Sequence, residues 1–229
     1  MSFSTVPNHV AIIPDGNRRW AREHNLPTLE GHRRGFNTAV KIGRKLRKLG
    51  VHTITIWAFS TENWNRTKEE VGYLMKMYEL FVAKNLKEAL KEKIRVVHIG
   101  RKDRMPKSLL KKLSESEEKT KEFKEYVLNI AIDYGGSDEV IRAIQKAKSS
   151  KSTLSEENFN QFLDTEGQPF PNPDLIIRTS GEKRTSGLMI WQAAYAEYVF
   201  LGKHFPDLKD EDMEYAVEEY SKRQRRFGK

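Results

Sequence analysis

The chain has 229 residues, 38% hydrophobic and 32% charged, with Lys and Arg outnumbering Asp and Glu by 41 to 32 for a formal net charge of +9. That length suits one α/β domain, and the basic excess favours an anionic partner: nucleic acid, a phosphorylated small molecule or an acidic membrane surface. The absence of cysteine excludes disulfides, thiolate metal sites and cysteine nucleophiles.

"MSFSTVPNHV" lacks the basic and apolar regions of a signal peptide, and no apolar run nears the roughly 20 residues that span a bilayer, so a cytoplasmic protein is expected. "HVAII" (9–13) reads as a strand. "NTAVKIGRKLRKLG" (37–50) carries apolar residues at helical spacing and stops at Gly50. "HTITIWAF" (52–59) is β-branched and aromatic, a strand. A long helix is expected over 67–93, a strand over 94–100, a charged amphipathic helix over 106–122, and a strand over 126–136 ending in Gly-Gly. A helix over 137–150 has Ser137 as its candidate N-cap; 174–182 reads as strand and loop. The apolar run 188–201 fits strand or helix, and 210–228 closes the chain as a helix. This alternation predicts one α/β domain over 1–229, a mainly parallel sheet with helices on both faces, and ligands beyond the carboxyl ends of the strands.

The strand-end loops carry the unusual residues. In "PDGNRR", Gly16 permits a tight turn, Asn17 is placed to cap a helix from Arg18, and Arg18 and Arg19 suit phosphate. Asp15 repels phosphate unless a divalent cation bridges the two; an ordinary Asp-Gly turn is the plainer reading. "GHRRG" (31–35) reads as a loop that offers His32 as a phosphate donor or proton carrier. "FSTENWNR" groups Ser60, Glu62, Asn63, Trp64, Asn65 and Arg66, a ligand loop or an Asn-rich turn. "RTSGEKRTS" offers Arg178, Ser180, Arg184 and Ser186 as a second anion cradle, although it lacks the P-loop pattern. Glu197, inside an apolar run, needs a cationic or metallic partner. Two anion sites with candidate carboxylate ligands and no nucleophilic dyad point to two diphosphates held side by side.

The stretches "HVAIIPDGNRRWA", "GHRRG", "AFSTENWNR", "LNIAIDYGG", "DLIIRTSGEKRTSGLMIWQAAYAE" and the terminal "RRFG" resemble those of the cis-prenyltransferases, the undecaprenyl diphosphate synthase family. The resemblance implies condensation of isopentenyl diphosphate onto an allylic diphosphate (farnesyl or geranylgeranyl diphosphate), giving a cis double bond. It further implies Mg²⁺, a parallel α/β fold of about six strands with an elongated hydrophobic tunnel, a homodimer, and peripheral membrane contact at the tunnel mouth, with helix 106–122 a candidate. Carried over, Asp15 holds Mg²⁺ with Glu197 as a second metal-linked carboxylate. Gly16, Asn17, Arg18 and Arg19 bind the allylic diphosphate, with Trp20 and His32 lining that site. Ser60, Glu62, Asn63, Trp64 and Arg66 lie on a closing loop, and Ser60 and Asn63 join Asp15 as catalytic candidates. Arg178, Arg184 and Ser186 bind isopentenyl diphosphate, and Arg226 and Gly228 reach a partner's site. The chain departs from the usual pattern at Pro14, Arg18, Thr28 and Gly187; Thr28 replaces a frequent arginine. Tyr126 is expected at the tunnel floor. A basic nucleic-acid-binding module and a non-catalytic family subunit are the alternatives. The first calls for basic residues spread over a face with interleaved aromatics, whereas here they gather in strand-end loops. A nucleic-acid partner is therefore not expected.

Overall fold

The computed structural model describes residues 3–223. Six strands form one parallel sheet: β1 (His9–Ile13), β2 (Thr53–Ser60), β3 (Ile94–Ile99), β4 (Tyr126–Tyr134), β5 (Leu175–Arg178) and β6 (Glu197–Phe200), ordered β3-β4-β2-β1-β5-β6. A parallel sheet is buried on both faces, so its strands are apolar throughout rather than alternating. Val10 and Ile12 of β1 enter one core and Ala11 and Ile13 the other.

The first core is closed by α2 (Thr28–Lys48) and α7 (Asp210–Ser221) over β1 and β5. A neighbouring cluster is closed by α3 (Lys68–Lys91) and α4 (Lys107–Thr120) over β3 and β4. The opposite face receives Leu188, Met189 and Ala193, while α5 (Gly136–Ser149) packs on the single turn α6 (Glu156–Phe159). The run 188–196 is a series of turns before β6, which resolves its ambiguity.

Three local expectations change. The segment 31–35 is not a loop but the start of α2, which begins after Pro27. Its two glycines are spaced one helical turn apart because α1 (Asn17–Glu23) crosses there. A Cβ at Gly31 would lie 2.0 Å from the Asn17 carbonyl oxygen, and one at Gly35 would lie 2.7 Å from Asn17 Oδ1. Asn17 is the first residue of α1 and not its cap; Gly16 is the N-cap, at φ +98°. Ser137 does not cap α5, which starts at Gly136 with Gly135 as N-cap.

The order of the strands locates the ligand edge. From β1 the chain crosses to β2 on one side, and from β5 it passes to β6 on the other. The connections therefore diverge between β1 and β5, where a crevice opens beyond the strand ends.

Candidate functional site

Asp15 leaves β1 and Arg178 ends β5, so the switch point places a carboxylate against a guanidinium. Arg178 is 4% exposed. Its Nη2 donates to Asp15 Oδ2 at 2.9 Å, and its Nη1 donates to the Arg184 carbonyl at 2.6 Å and to Ser186 Oγ at 2.7 Å. Arg178 Nε is buried with no acceptor from the described chain. Burial alone would raise the Asp15 pKa, but the hydrogen bonds and charges of Arg178 and Arg19 outweigh it and hold the carboxyl below its usual range. Arg19 lies 3.2 Å from Asp15 Oδ1 and donates to Glu182 at 3.0 Å.

Gly16 is required twice here. Its φ is positive, and a Cβ would lie 1.9 Å from Ser180 Oγ and 2.5 Å from His204 Nδ1. Ser180 Oγ itself lies 2.7 Å from His204 Nδ1, whose Nε2 faces Glu23 at 3.0 Å. These contacts tie α1 to the 178–187 loop.

Gly16, Asn17, Arg18, Arg19, Arg22, Thr28, His32 and Arg66 line a cleft of about 440 Å³ with Asp15. Four guanidinium groups at one cleft make an anion site. Asn17 Oδ1 is buried without a partner among the described residues, at the edge of that cleft. His32 is buried on α2, 3.2 Å from Glu70 Oε1, and desolvation lowers its pKa from 6.5 so that it is neutral at pH 7. Arg66 donates to the same oxygen of Glu70 at 3.0 Å.

An adjoining cleft of about 520 Å³ brings Ser60, Glu62, Asn63, Arg178 and Ser186 to Asp15. Residues Thr61–Asn65 form one 3-10 turn in which Asn63 Oδ1 accepts from the Ser60 backbone N–H at 3.2 Å. The far wall of this cleft is Phe36, Ala39, Ile56, Ala58 and Tyr78. The same five residues also line an apolar cavity of about 120 Å³ between α2, α3 and strands β2 to β4. A charged mouth thus opens onto a greasy interior.

Some expected residues lie elsewhere. Trp20 is buried on the other side of α1, where its Nε1 donates to Asp207 at 2.8 Å and its ring stacks on His24, so it braces α1 instead of lining the cleft. Glu197 opens β6 opposite Leu175, three residues before Arg178, roughly 10 Å along the strand, and binds Arg223 at 2.7 Å. Within one chain it cannot share a metal with Asp15, and no cluster of three metal-ligating side chains occurs among the described residues. Arg184 points outward and pairs with Glu182. Tyr126 does not line the apolar cavity; Arg47, which does, sits over its ring at 5.9 Å. Arg226 and Gly228 lie outside the described residues.

The sequence did not single out four further residues: Arg22, which lines the first cleft, Glu70, which contacts His32 and Arg66 from behind, and the pair Asp133 and Arg104 against Trp64, a residue that itself lines neither cleft. Arg22 was discoverable, since it lies one helical turn after Arg18. Glu70 was hidden as one acid of a helix start, and its partners come from three elements.

Among known proteins, the prenyltransferase family described as "Putative undecaprenyl diphosphate synthase" matches residues 13–228. The isoprenyl transferase of Aquifex aeolicus is 45% identical over 98% of this chain and 96% of its own. The farnesyl-diphosphate-specific ditrans,polycis-undecaprenyl-diphosphate synthase of Micrococcus luteus is 42% identical over 100% and 94%. The structure of lavandulyl diphosphate synthase from Lavandula x intermedia with dimethylallyl diphosphate superposes with a TM-score of 0.93 at 36% identity, covering 98% of this chain and 99% of that one. A probable undecaprenyl diphosphate synthase from Campylobacter jejuni gives 0.83 at 31% identity, covering 98% and 100%.

Proposed function

The chain belongs to the undecaprenyl diphosphate synthase family, and on that premise we propose how its clefts divide the work of prenyl transfer. The protein is an enzyme, a prenyltransferase that condenses isopentenyl diphosphate with an allylic diphosphate. One observation carries the division of labour: Asp15 and Arg178 meet where a cleft of guanidinium groups opens onto an apolar cavity.

The allylic diphosphate occupies the cleft of Asn17, Arg18, Arg19, Arg22, His32 and Arg66, and its tail enters the apolar cavity past Phe36 and Tyr78. Isopentenyl diphosphate binds beside it at Arg178 and Ser186, where the unsatisfied Nε of Arg178 supplies a donor. Arg184 joins once the substrate competes with Glu182 for it. Asp15 is an ionised carboxylate facing both anions, the donor set Mg²⁺ uses when phosphates and water complete its shell. When bound, Mg²⁺ neutralises charge on the leaving diphosphate.

The allylic C–O bond breaks with its electron pair leaving on the diphosphate, and the isopentenyl double bond attacks the freed carbon. Loss of a proton restores the double bond. Arg18, Arg19 and Arg66 stabilise the charge that grows on the departing oxygens. Ser60 and Asn63, fixed to each other through the turn, stand beside the reacting carbons and guide the proton toward a diphosphate oxygen. The apolar cavity shields the allylic cation from water. Arg47, with Tyr126 behind it, sets polar groups at the inner end and limits product length.

A second copy covers the exposed Ile190, Trp191, Tyr195 and Phe200 beside the edge strand β6. No helix among the described residues is long and apolar enough to cross a membrane; a product of this kind leaves toward a lipid surface by peripheral contact.

Incorporation of radiolabelled isopentenyl diphosphate, with Mg²⁺ and primers of ten, fifteen and twenty carbons, tests the reading. Turnover with at least one primer is expected, falling on the order of 10²-fold or more in Asp15→Ala. Full activity in Asp15→Ala would overturn the assignment of Asp15.

A further inference from the structure

Asp133 is buried, with 0% exposure, near the end of β4, and prenyl transfer as set out above gives it no task. It is not an idle core residue. Its backbone sits at φ +52°, a strained conformation for a non-glycine residue. Its side chain collects three donors from two separate segments. Trp64 Nε1 donates to Oδ1 at 2.9 Å, Arg104 Nε donates to Oδ2 at 2.9 Å, and the second Arg104 nitrogen bonds Oδ1. The same guanidinium lies over the Trp64 ring at 5.6 Å. The Asp133 carbonyl accepts from the Arg101 backbone N–H at 3.0 Å.

Trp64 belongs to the 3-10 turn that carries Asn63. Among the described residues, Trp64 carries the side-chain hydrogen bond from the turn to β4, while Thr61 lies against Gly135 and the Arg66–Glu70 pair follows at its end. Its indole is held at three places: the N–H by Asp133, the face by Arg104 and the edge by Phe59 at 5.2 Å between centroids. A buried carboxylate that has lost a cationic partner is costly, so Asp133 and Arg104 stay together and the indole N–H has a fixed acceptor.

We infer that Asp133 is a positioning residue: with Arg104 it latches the Thr61–Asn65 turn through the Trp64 indole and so sets the place of Asn63 over the reacting carbons. The carboxylate touches no substrate. It acts through a side chain one residue away from Asn63. The inference rests on the role given to Asn63 above, and its test separates the two.

Hydrogen exchange on the full chain needs no activity. Asp133→Asn is expected to speed exchange of the amides of residues 60–66 by tenfold or more, with residues 175–187 unchanged. Trp64→Phe, which removes the indole N–H and keeps one aromatic ring in its place, does the same and serves if Asp133→Asn fails to fold. Unchanged exchange at 60–66, or equal acceleration everywhere, would overturn the latch. In turnover, each single variant is expected to lose about tenfold in kcat with KM for both diphosphates within twofold. The double variant should lose no more than the worse single, because both break one contact. Additive losses, or losses confined to KM, would overturn it as well. If exchange responds while kcat does not, the latch stands and the role of Asn63 falls.

Discussion

The two walls of the site are built differently. On the β1–β5 side, the loops after the strands are tied to each other many times over. The Asp15 carbonyl accepts from Thr179 Oγ1 at 2.7 Å and from the Phe205 N–H at 3.0 Å. Ser180 and Gly181 N–H groups bind the carbonyls of Lys203 and Leu201, and Arg178 reaches three acceptors. On the β2 side, among the described residues the Thr61–Asn65 turn is hydrogen-bonded outward through Trp64, and the Arg66 that follows it through Glu70. A preorganised wall holds charge where it develops and costs no rearrangement during reaction. A wall moored at two points can open for substrate and product. On the reading proposed above, the first wall supplies most of the electrostatic stabilisation, and the second is the wall suited to gating.

The largest effect should come from breaking the fixed wall. Arg178→Ala removes the guanidinium proposed to hold isopentenyl diphosphate and leaves Asp15 with Arg19 alone. A loss on the order of 10³-fold in kcat/KM is expected, with a lower melting temperature because half-buried Asp15 loses the more buried of its two cationic partners and the loop after β5 loses its two hydrogen bonds from Arg178. Steady-state kinetics and thermal denaturation check both. A loss in activity with unchanged stability would show that the wall is less closely knit than its hydrogen bonds indicate.

The next effect is on stability in acid. The fixed wall stands on β1, where His9 is fully buried beside Thr55 Oγ1 at 2.8 Å. Burial pushes its pKa down from 6.5 to about 4. As pH falls below 6.5 the unfolded chain takes up this proton first, so the native state loses stability until about pH 4. The whole difference is worth about 3 kcal/mol. His32 and His98, also pushed down by burial, add in the same direction. Urea denaturation at neutral and mildly acidic pH measures it, and an acid-insensitive midpoint would contradict it.

Much of the fixed wall was legible in the sequence, and little of the mooring was. Asp15, Gly16, Arg178 and Ser186 stand beside strand ends within short, unusual loops, so local reading finds them. Glu70, Asp133 and Arg104 are single charged residues among many, and their partners lie 29 to 69 positions away or come from separate elements. The glycines of 31–35 misled for a related reason. Their spacing is that of a helix face, but the contact that explains it is with Asn17 on another helix. The site roles of Trp20 and Glu197 come from the family resemblance, and the cationic partner that an apolar run demands of Glu197 is Arg223. A helix turns its residues to different sides and a strand separates its two ends, which takes both away from the cleft. The strands themselves were read nearly correctly, since a buried parallel strand leaves an apolar run that no distant partner has to explain.

A smaller effect sharpens the comparison on the moored side. Glu70→Gln keeps the shape but removes the charge that holds Arg66 and faces His32. About tenfold is expected in kcat/KM, in line with the loss of a charge-assisted hydrogen bond. The loss should appear without the change in melting temperature seen for Arg178→Ala. Comparable destabilisation by the two variants would erase the distinction between the walls.

The smallest effect lies at the edge of the fixed wall, where Arg22 and Thr28 share the cleft. Arg22 is exposed and no ion pair holds it among the described residues, so its phosphate contact is screened by water and is worth well under about 1 kcal/mol. Arg22→Ala should raise KM for the allylic diphosphate a few-fold and leave kcat and KM for isopentenyl diphosphate alone, the signature of uniform binding. Thr28 opens α2 a short distance away, at a position where an arginine would face the same anion. Adding Thr28→Arg to Arg22→Ala should therefore restore the allylic KM, since either guanidinium can meet the phosphate. If the double variant keeps the raised KM, Arg22 acts through the geometry of α1 instead of its charge, and the fixed wall extends one turn further than its hydrogen bonds suggest.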